Sequence, residues 1–240
     1  MPTIADKLTQ IAENTQYVYD RGYNNGFNIG YDKATHDYFY TFWDNFQQYG
    51  ERENYNYGFG GAGWTNETFT PQYDIRPTAF ARAFAFSGIE GSLKEILEKQ
   101  GVVLDTSNLA YCEYVFDGAS KITEVPHLVG NNSFAGVFSK AVSLVTASLE
   151  PKEKTTFDAS FHNCYELTNL TITGVVGNNI DLSPCKKLSK ASITSVINAL
   201  STSVSGKTLT LSTTAKNNAF TASEWSALIA TKTNWTISLV

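Results

Sequence analysis

The feature that most constrains the fold is an internal repeat that begins near residue 109. Three copies read F-x-x-[A/C]-x-x-[I/L]-x-x-[V/A/L], and they run over Phe116–Val125, Phe138–Ala147 and Phe161–Leu170. A fourth, degenerate copy spans Cys185–Ala191. The matching aliphatic residues are spaced by 22, 23 and 21 residues: Ile122, Leu144, Leu167 and Leu188. A period of this length is typical of repeats that each contribute a strand and a turn and bury a shared apolar column.

The C-terminal part contains two longer helix–strand units. The first has a helical face and then an alternating strand, formed by Ile193, Val196, Ile197, Leu200, Leu209 and Leu211. Twenty-eight residues further on, the same pattern returns as Trp225, Leu228, Ile237 and Leu239. Thr221-Ala-Ser-Glu224 matches a capping box. We interpret these units as the end of the same solenoid, the second one capping it.

The first 34 residues predict oligomerisation. Ile4, Leu8, Ile11 and Val18 follow the three-and-four spacing of a coiled-coil seam. A second stripe has Gly22, Gly26 and Gly30, each followed by an aromatic residue. Because glycine weakens a helix by about 1 kcal/mol, its regular placement favours close helix packing in an oligomer. The alternative is a flexible stalk without a partner.

Aromatic residues are concentrated before residue 90, where 21 of the 32 lie. Phe39, Phe42, Trp43 and Phe46 predict one aromatic helix face. Residues 51–78 resemble a long loop, with four rings that predict a ligand-binding surface: Tyr55, Tyr57, Phe59 and Trp64. The alternative is that these rings pack the loop onto its neighbours. A G-x-G-x-x-G match over residues 58–63 lacks the flanking strand and helix of a dinucleotide site.

Composition excludes several classes of function. The net charge is −5, and neither half of the chain offers the basic face that nucleic-acid binding needs. No apolar stretch is long enough for a membrane span, and the N-terminus has no secretion-signal pattern. The three cysteines lack metal-type spacing. Cys164 and Cys185 share the repeat position of alanines, which predicts small buried spacers.

Enzymatic signatures are also missing from the sequence. The imidazole bases available are His36, His127 and His162, and the chain has no G-x-S-x-G, H-E-x-x-H or P-loop pattern. The acidic residues are dispersed along the chain, so the sequence neither identifies nor excludes the paired carboxylates of a glycosidase site. We therefore expect no enzyme, no cofactor and no metal site.

The repeat resembles the BspA-like leucine-rich repeats of bacterial surface proteins over roughly residues 100–215, with Phe161–Leu167 as its best copy. The segments 4–20, 42–50 and 57–64, together with the Gly-Tyr stretch, are similar to a group of prophage and phage proteins from gut bacteria in which such a head precedes the repeats. This resemblance implies a virion-associated or tail-region protein that binds a partner and has no enzymatic activity.

Taken together, these patterns predict an α+β protein with a helical, aromatic-rich head and a short leucine-rich-repeat solenoid. The expected divisions are an oligomerisation segment over 1–50, a connector over 51–90 and a repeat domain over 91–240. The expected function is a phage structural or tail-appendage protein, present in the virion as a homo-oligomer. By resemblance to phage appendages, we expect a trimer. It would bind a host-surface glycan or another virion protein. The alternatives are a prophage-encoded bacterial adhesion or interaction module, and an intracellular phage protein that binds a host protein.

Overall fold

The structure is a computed structural model that describes residues 65–67, 69, 81–107 and 112–240, all of which belong to the second of two units, Arg52–Val240. The strands are β1 (Gly91–Ser92), β2 (Ile122–Glu124), β3 (Leu128–Gly130), β4 (Thr146–Pro151), β5 (Asn169–Ile172), β6 (Ile180–Leu182), β7 (Lys207–Leu211) and β8 (Trp235–Leu239). The helices are α1 (Leu93–Lys99), α2 (Lys190–Ala199), α3 (Thr213–Ala219) and α4 (Ala222–Ile229).

Every strand pair in the described residues is parallel. β1, β2, β3, β4 and β5 form one sheet, in which β4 pairs with three strands. β2 and β3 meet the two ends of β4, at Thr146 and at Leu149–Pro151, and β5 pairs with it over Thr146–Leu149. The second sheet has the order β6-β7-β8. The 22- and 23-residue steps of the sequence repeat are the steps from Glu124 to Thr146 and from Thr146 to Asn169.

The turns that precede the strands are also stacked. Phe84 N–H donates to Val115 O at 2.8 Å, Phe116 N–H to Val137 O at 2.8 Å, and Phe138 N–H to Ser160 O at 3.0 Å. Because equivalent residues then lie above one another, the phenylalanine rings form a buried column: Phe69, Phe84, Phe116, Phe138 and Phe161. Their ring centroids are 5.2–6.0 Å apart, within the range of favourable aromatic pairs.

Helix α2 covers the open edge of β5. The hydroxyl of Ser192 accepts a hydrogen bond from Leu170 N–H at 2.8 Å and donates to Thr168 O at 2.9 Å. Ser195 accepts from Ile172 N–H at 2.9 Å. The opposite face of α2 is apolar and buried, as the spacing of Ile193, Val196 and Ile197 predicts. Two serine side chains therefore take the place of a further strand.

The expected fold class is wrong. An α+β protein segregates its helices from an antiparallel sheet, whereas the few described helices are interspersed among strands that pair only in parallel, which is an α/β arrangement. The expected leucine-rich-repeat solenoid is not shown either, because the strands divide into two sheets and the first one branches at β4. No helical aromatic head is evident among the described residues. The aromatic cluster that the structure does contain is the phenylalanine column.

The predicted C-terminal elements are confirmed individually. Of the first helical face, Ile193, Val196 and Ile197 lie on α2, whereas Leu200 follows the helix in an extended conformation. Its strand is β7, while Trp225 and Leu228 lie on α4 and Ile237 and Leu239 on β8. The capping box at Thr221 and Glu224 is formed in both directions. The head helices and the loop over 51–64 lie outside the described residues.

Candidate functional site

The clearest regular surface feature is a set of left-handed backbone positions. In each of four stacked turns, the residues two before and two after the column phenylalanine have φ between 51° and 69°: Arg82, Phe86, Tyr114, Gly118, Gly136, Lys140, Ala159 and Asn163. All six non-glycine residues with positive φ in the described part of the chain occur here. The turn geometry, repeated four times, therefore creates two parallel columns of left-handed positions, and six of the eight carry a side chain.

Two of these positions carry bulky aromatic residues. Phe86 and Tyr114 both have φ of 57°, a region that costs a side chain with a Cβ about 1–2 kcal/mol. Their exposed fractions are 45% and 36%, so burial offsets this cost only in part. The same conformation recurs in all four turns, so what distinguishes Phe86 and Tyr114 is that each places a partly exposed ring there. We define Arg82, Phe86, Tyr114 and Lys140 as the aromatic turn surface.

The faces of the Tyr114 ring are already occupied. The Arg82 guanidinium carbon, from the preceding turn, lies 4.7 Å from the ring centroid. The other face lies over Gly136 of the following turn, where a Cβ would overlap the ring. Phe86 similarly lies over Gly118, and Lys140 Nζ is 5.9 Å from its centroid. Tyr114 therefore presents mainly its edge, Phe86 is covered from the following turns, and a cation lies beside each ring.

A buried carboxylate lies under this surface. Asp117 is 6% exposed, and its Oδ1 atom has no hydrogen-bond partner among the described residues. Lys140 Nζ is 3.8 Å from Oδ1 and forms the ion pair. This attraction holds Lys140 close to the aromatic edges.

A second cluster lies on the outward face of β4 and was missed in the sequence, because no motif links its members. His127 Nδ1 is 2.8 Å from Ser148 Oγ, and His127 Nε2 is 3.6 Å from Glu150 Oε2. Glu150 also accepts from Lys152 Nζ at 2.6 Å, and that hydrogen bond is the main reason why its pKa is lowered. The order serine–histidine–carboxylate resembles a nucleophilic triad.

The pairing of β4 is incomplete at this cluster. β5 pairs with β4 over Thr146–Leu149, whereas β2 and β3 pair with it only at Thr146 and at Leu149–Pro151. The side chains of His127 and Glu150 are 42% and 36% exposed, which leaves them in water. The described contacts form a hydrogen-bond network at the protein surface.

A cleft of about 540 Å³ opens where β4 ends. Its walls come from three loops, including Glu153, Gly174, Val175, Ser201 and Thr202, and from Lys232. A Cβ on Gly174 would overlap the carbonyl oxygen of Pro151, so the wall requires glycine there. Ser201 Oγ donates a short hydrogen bond to Glu153 Oε1.

Lys232 is a buried cation in this cleft, with 8% of its surface exposed. Its Nζ donates to Asn198 O at 3.1 Å and to Leu200 O at 2.5 Å, at the C-terminal end of α2. Burial lowers the pKa of Lys232 because the charged form loses hydration. A lysine is favourable beside the last carbonyls of a helix.

The residues that the sequence predicted as sites lie outside the part of the chain that the structure describes. The ligand-binding set Tyr55, Tyr57, Phe59 and Trp64 and the oligomerisation set Ile4, Leu8, Ile11, Val18, Gly22, Gly26 and Gly30 lie outside the described residues. The aromatic turn surface was not predicted. The sequence gives no repeated signal for it, because Phe86 lies two residues after its column phenylalanine and Tyr114 lies two residues before its own.

Cys164 and Cys185 are buried, as predicted. Burial raises the pKa of Cys164 to about 12 and that of Cys185 well above its ordinary value, so both thiols are unreactive. Within the described ranges no group of three or more His, Cys, Asp and Glu could hold a metal ion. In the same ranges no helix has the length and apolar character of a bilayer span.

Comparison with protein-family models, with curated proteins and with solved structures found no match to this chain.

Proposed function

We propose that this chain is a non-enzymatic phage structural or tail-appendage protein that binds another protein of the virion through the aromatic turn surface. The observation that carries the proposal is the pair of strained, partly exposed rings, Phe86 and Tyr114, flanked by Arg82 and Lys140. Aromatic residues and arginine are the side chains most enriched in protein interfaces. The resemblance of the head segments to phage proteins supports the assignment to a virion.

The contacts of Tyr114 favour a protein partner over a host-surface glycan. A sugar stacks on a free ring face, but Arg82 and Gly136 cover the two faces of Tyr114. Ring edges and cations can instead fit between side chains and carbonyl groups of a protein. The alternatives from the sequence, a prophage-encoded adhesion module and an intracellular protein that binds a host protein, become outcomes of the test.

The experiment is mass spectrometry of purified virions produced with the wild-type chain or with a variant. The wild-type chain should be present in a fixed ratio to the major structural proteins. The double variant Phe86→Ser/Tyr114→Ser should reduce that ratio by about tenfold, because two partly exposed rings can be central contacts of an interface. Leu239→Ser is the matched control, since it removes another exposed apolar side chain, in β8.

Thermal unfolding of both variants should stay within a few degrees of wild type. Absence of the wild-type chain from virions would overturn the virion assignment and favour one of the two alternatives. Full incorporation of the double variant would show that the aromatic turn surface is not the interface.

A further inference from the structure

We propose that the cleft at the end of β4 is a separate binding site for a small polyhydroxylated acid, of the class of carboxylate-bearing sugars, with Lys232 as its anion-recognising group. The cleft is lined by residues that neither the aromatic turn surface nor the β4 cluster uses, apart from Lys152 at its rim. Its volume of about 540 Å³ lies within the range of small-molecule sites and accommodates a monosaccharide.

Lys232 supplies a buried positive charge in the cleft. A lysine that caps a helix normally keeps its ammonium group in water, but this one is 8% exposed and lines the cleft. Its partners in the described structure are two neutral carbonyls, and no carboxylate of the described residues lies within 4.0 Å of Nζ. Two of its three N–H donors are engaged, which leaves one for a ligand. A buried cation without a counter-ion is strongly favourable for a carboxylate.

The remaining lining supplies the groups that a sugar ring requires. Ser201 is held against Glu153, so a hydroxyl and a carboxylate oxygen are already placed side by side in the wall. Thr202 and Ser203 follow with exposed hydroxyl groups. Val175 is 45% exposed in the same cleft and offers an apolar contact for the C–H face of a ring. The set therefore combines one anion contact, several hydroxyl contacts and one apolar contact.

The cleft is also rigid. Gly174 and Gly177 approach the main chain of Pro151 and Glu153 so closely that a Cβ at either position would overlap a carbonyl oxygen. Trp235 Nε1–H and the Asn234 side chain both donate to Ser201 O, at 2.8 and 2.9 Å. These contacts hold the wall in place before a ligand arrives, and such preorganisation lowers the entropic cost of binding.

The test is saturation-transfer NMR of the full chain with D-glucuronate, and with D-glucose as the neutral sugar of similar size. Glucuronate should receive saturation, and glucose should receive at least fivefold less. Lys232→Met removes the charge and should weaken glucuronate binding by at least tenfold, in keeping with the strength of a hydrogen bond to a charged group.

Lys232→Met also removes a helix cap, so a second pair of variants keeps the result decisive if that protein does not fold. Thr202→Trp places a large ring in the cleft from an exposed position, while Ser205→Trp adds the same ring to an exposed position of the same loop outside the cleft. Thr202→Trp should abolish the glucuronate signal and Ser205→Trp should preserve it.

Equal signals from glucose and glucuronate, no signal from either, or an unchanged signal in Thr202→Trp would each overturn the proposed site. None of these results bears on the aromatic turn surface. The cleft variants do not change that surface, and its own test is incorporation into virions.

Discussion

Glycine is required at two positions of the chain for physically different reasons. Gly174 has an ordinary backbone conformation, and its requirement is steric, because the carbonyl oxygen of Pro151 occupies the space of a Cβ. Gly206 has φ of 68° and open space around it, so glycine is favoured there only because of the left-handed backbone. The two positions allow the costs of overlap and of left-handed backbone to be separated.

We predict that Gly174→Ala destabilises the protein by about 2–3 kcal/mol, since the main chain of a neighbouring loop must move. Gly206→Ala should cost only about 1 kcal/mol, which is the conformational cost of the left-handed region. Urea unfolding followed by near-ultraviolet circular dichroism measures both values. A smaller effect at Gly174 than at Gly206 would contradict the tight packing of the cleft wall.

Single residues also show where sequence reasoning succeeds. The phenylalanines at 116, 138 and 161 are predictable as a column because 22 and 23 residues separate them. Phe84 extends the same column, but 32 residues separate it from Phe116 because the segment that contains α1 lies between them. This insertion hides the first copy from a search for a fixed period.

At the scale of elements, α4 is defined by its N-terminal cap. Thr221 Oγ1 accepts from Glu224 N–H, and Glu224 accepts from Thr221 N–H at 2.9 Å. Lys190 Nζ, on α2, donates to Glu224 Oε1 at 2.7 Å. This contact with Lys190 is the largest of the causes that lower the pKa of Glu224 from 4.5 to about 2, and the contacts with Thr221 follow.

The lowered pKa of Glu224 determines how stability changes with pH. Because the folded protein binds the proton of Glu224 more weakly than the unfolded chain does, the carboxylate stabilises the fold above pH 4.5. That contribution is lost as the pH falls from 4.5 to about 2. We predict that Glu224→Gln lowers the melting temperature at pH 7 and that the difference from wild type disappears near pH 2.

The measurement is a series of thermal unfolding curves between pH 2 and pH 7. Glu98→Gln is the control, because Glu98 is an exposed helical glutamate of α1 and the described structure gives it no ion pair. A difference between Glu224→Gln and wild type that is the same at every pH would rule out this titration as its source.

Elements also show what the sequence could not predict. The capping box and the faces of α2 and α4 follow local rules, so they can be read from adjacent residues. The branching of the first sheet at β4 does not follow such local rules. It depends on β2 and β3 meeting opposite ends of one six-residue strand, and no local pattern specifies such long-range pairing. The expectation of a single leucine-rich-repeat solenoid fails at this branch point.

At the scale of the whole molecule, the proposed partner-binding surface and the predicted oligomerisation seam belong to different parts of the chain. The described part of Arg52–Val240 carries the aromatic turn surface and the cleft, whereas the predicted oligomerisation seam lies within 1–34. Oligomerisation would multiply the number of aromatic turn surfaces in one assembly. Weak contacts of each surface could then sum to a stable attachment, since linked binding sites act at high effective concentration.

We predict that the full chain is an oligomer, a trimer by resemblance, and that deletion of residues 1–34 converts it to a monomer, measured as molar mass by light scattering. In the full chain, Leu8→Asp/Ile11→Asp should have the same effect because charges in a coiled-coil seam are not tolerated. Gln10→Asp, which lies off the seam, should leave the mass unchanged. If the double variant keeps the mass of the wild-type assembly, the seam does not hold the protomers together, and the multivalent attachment would need another interface.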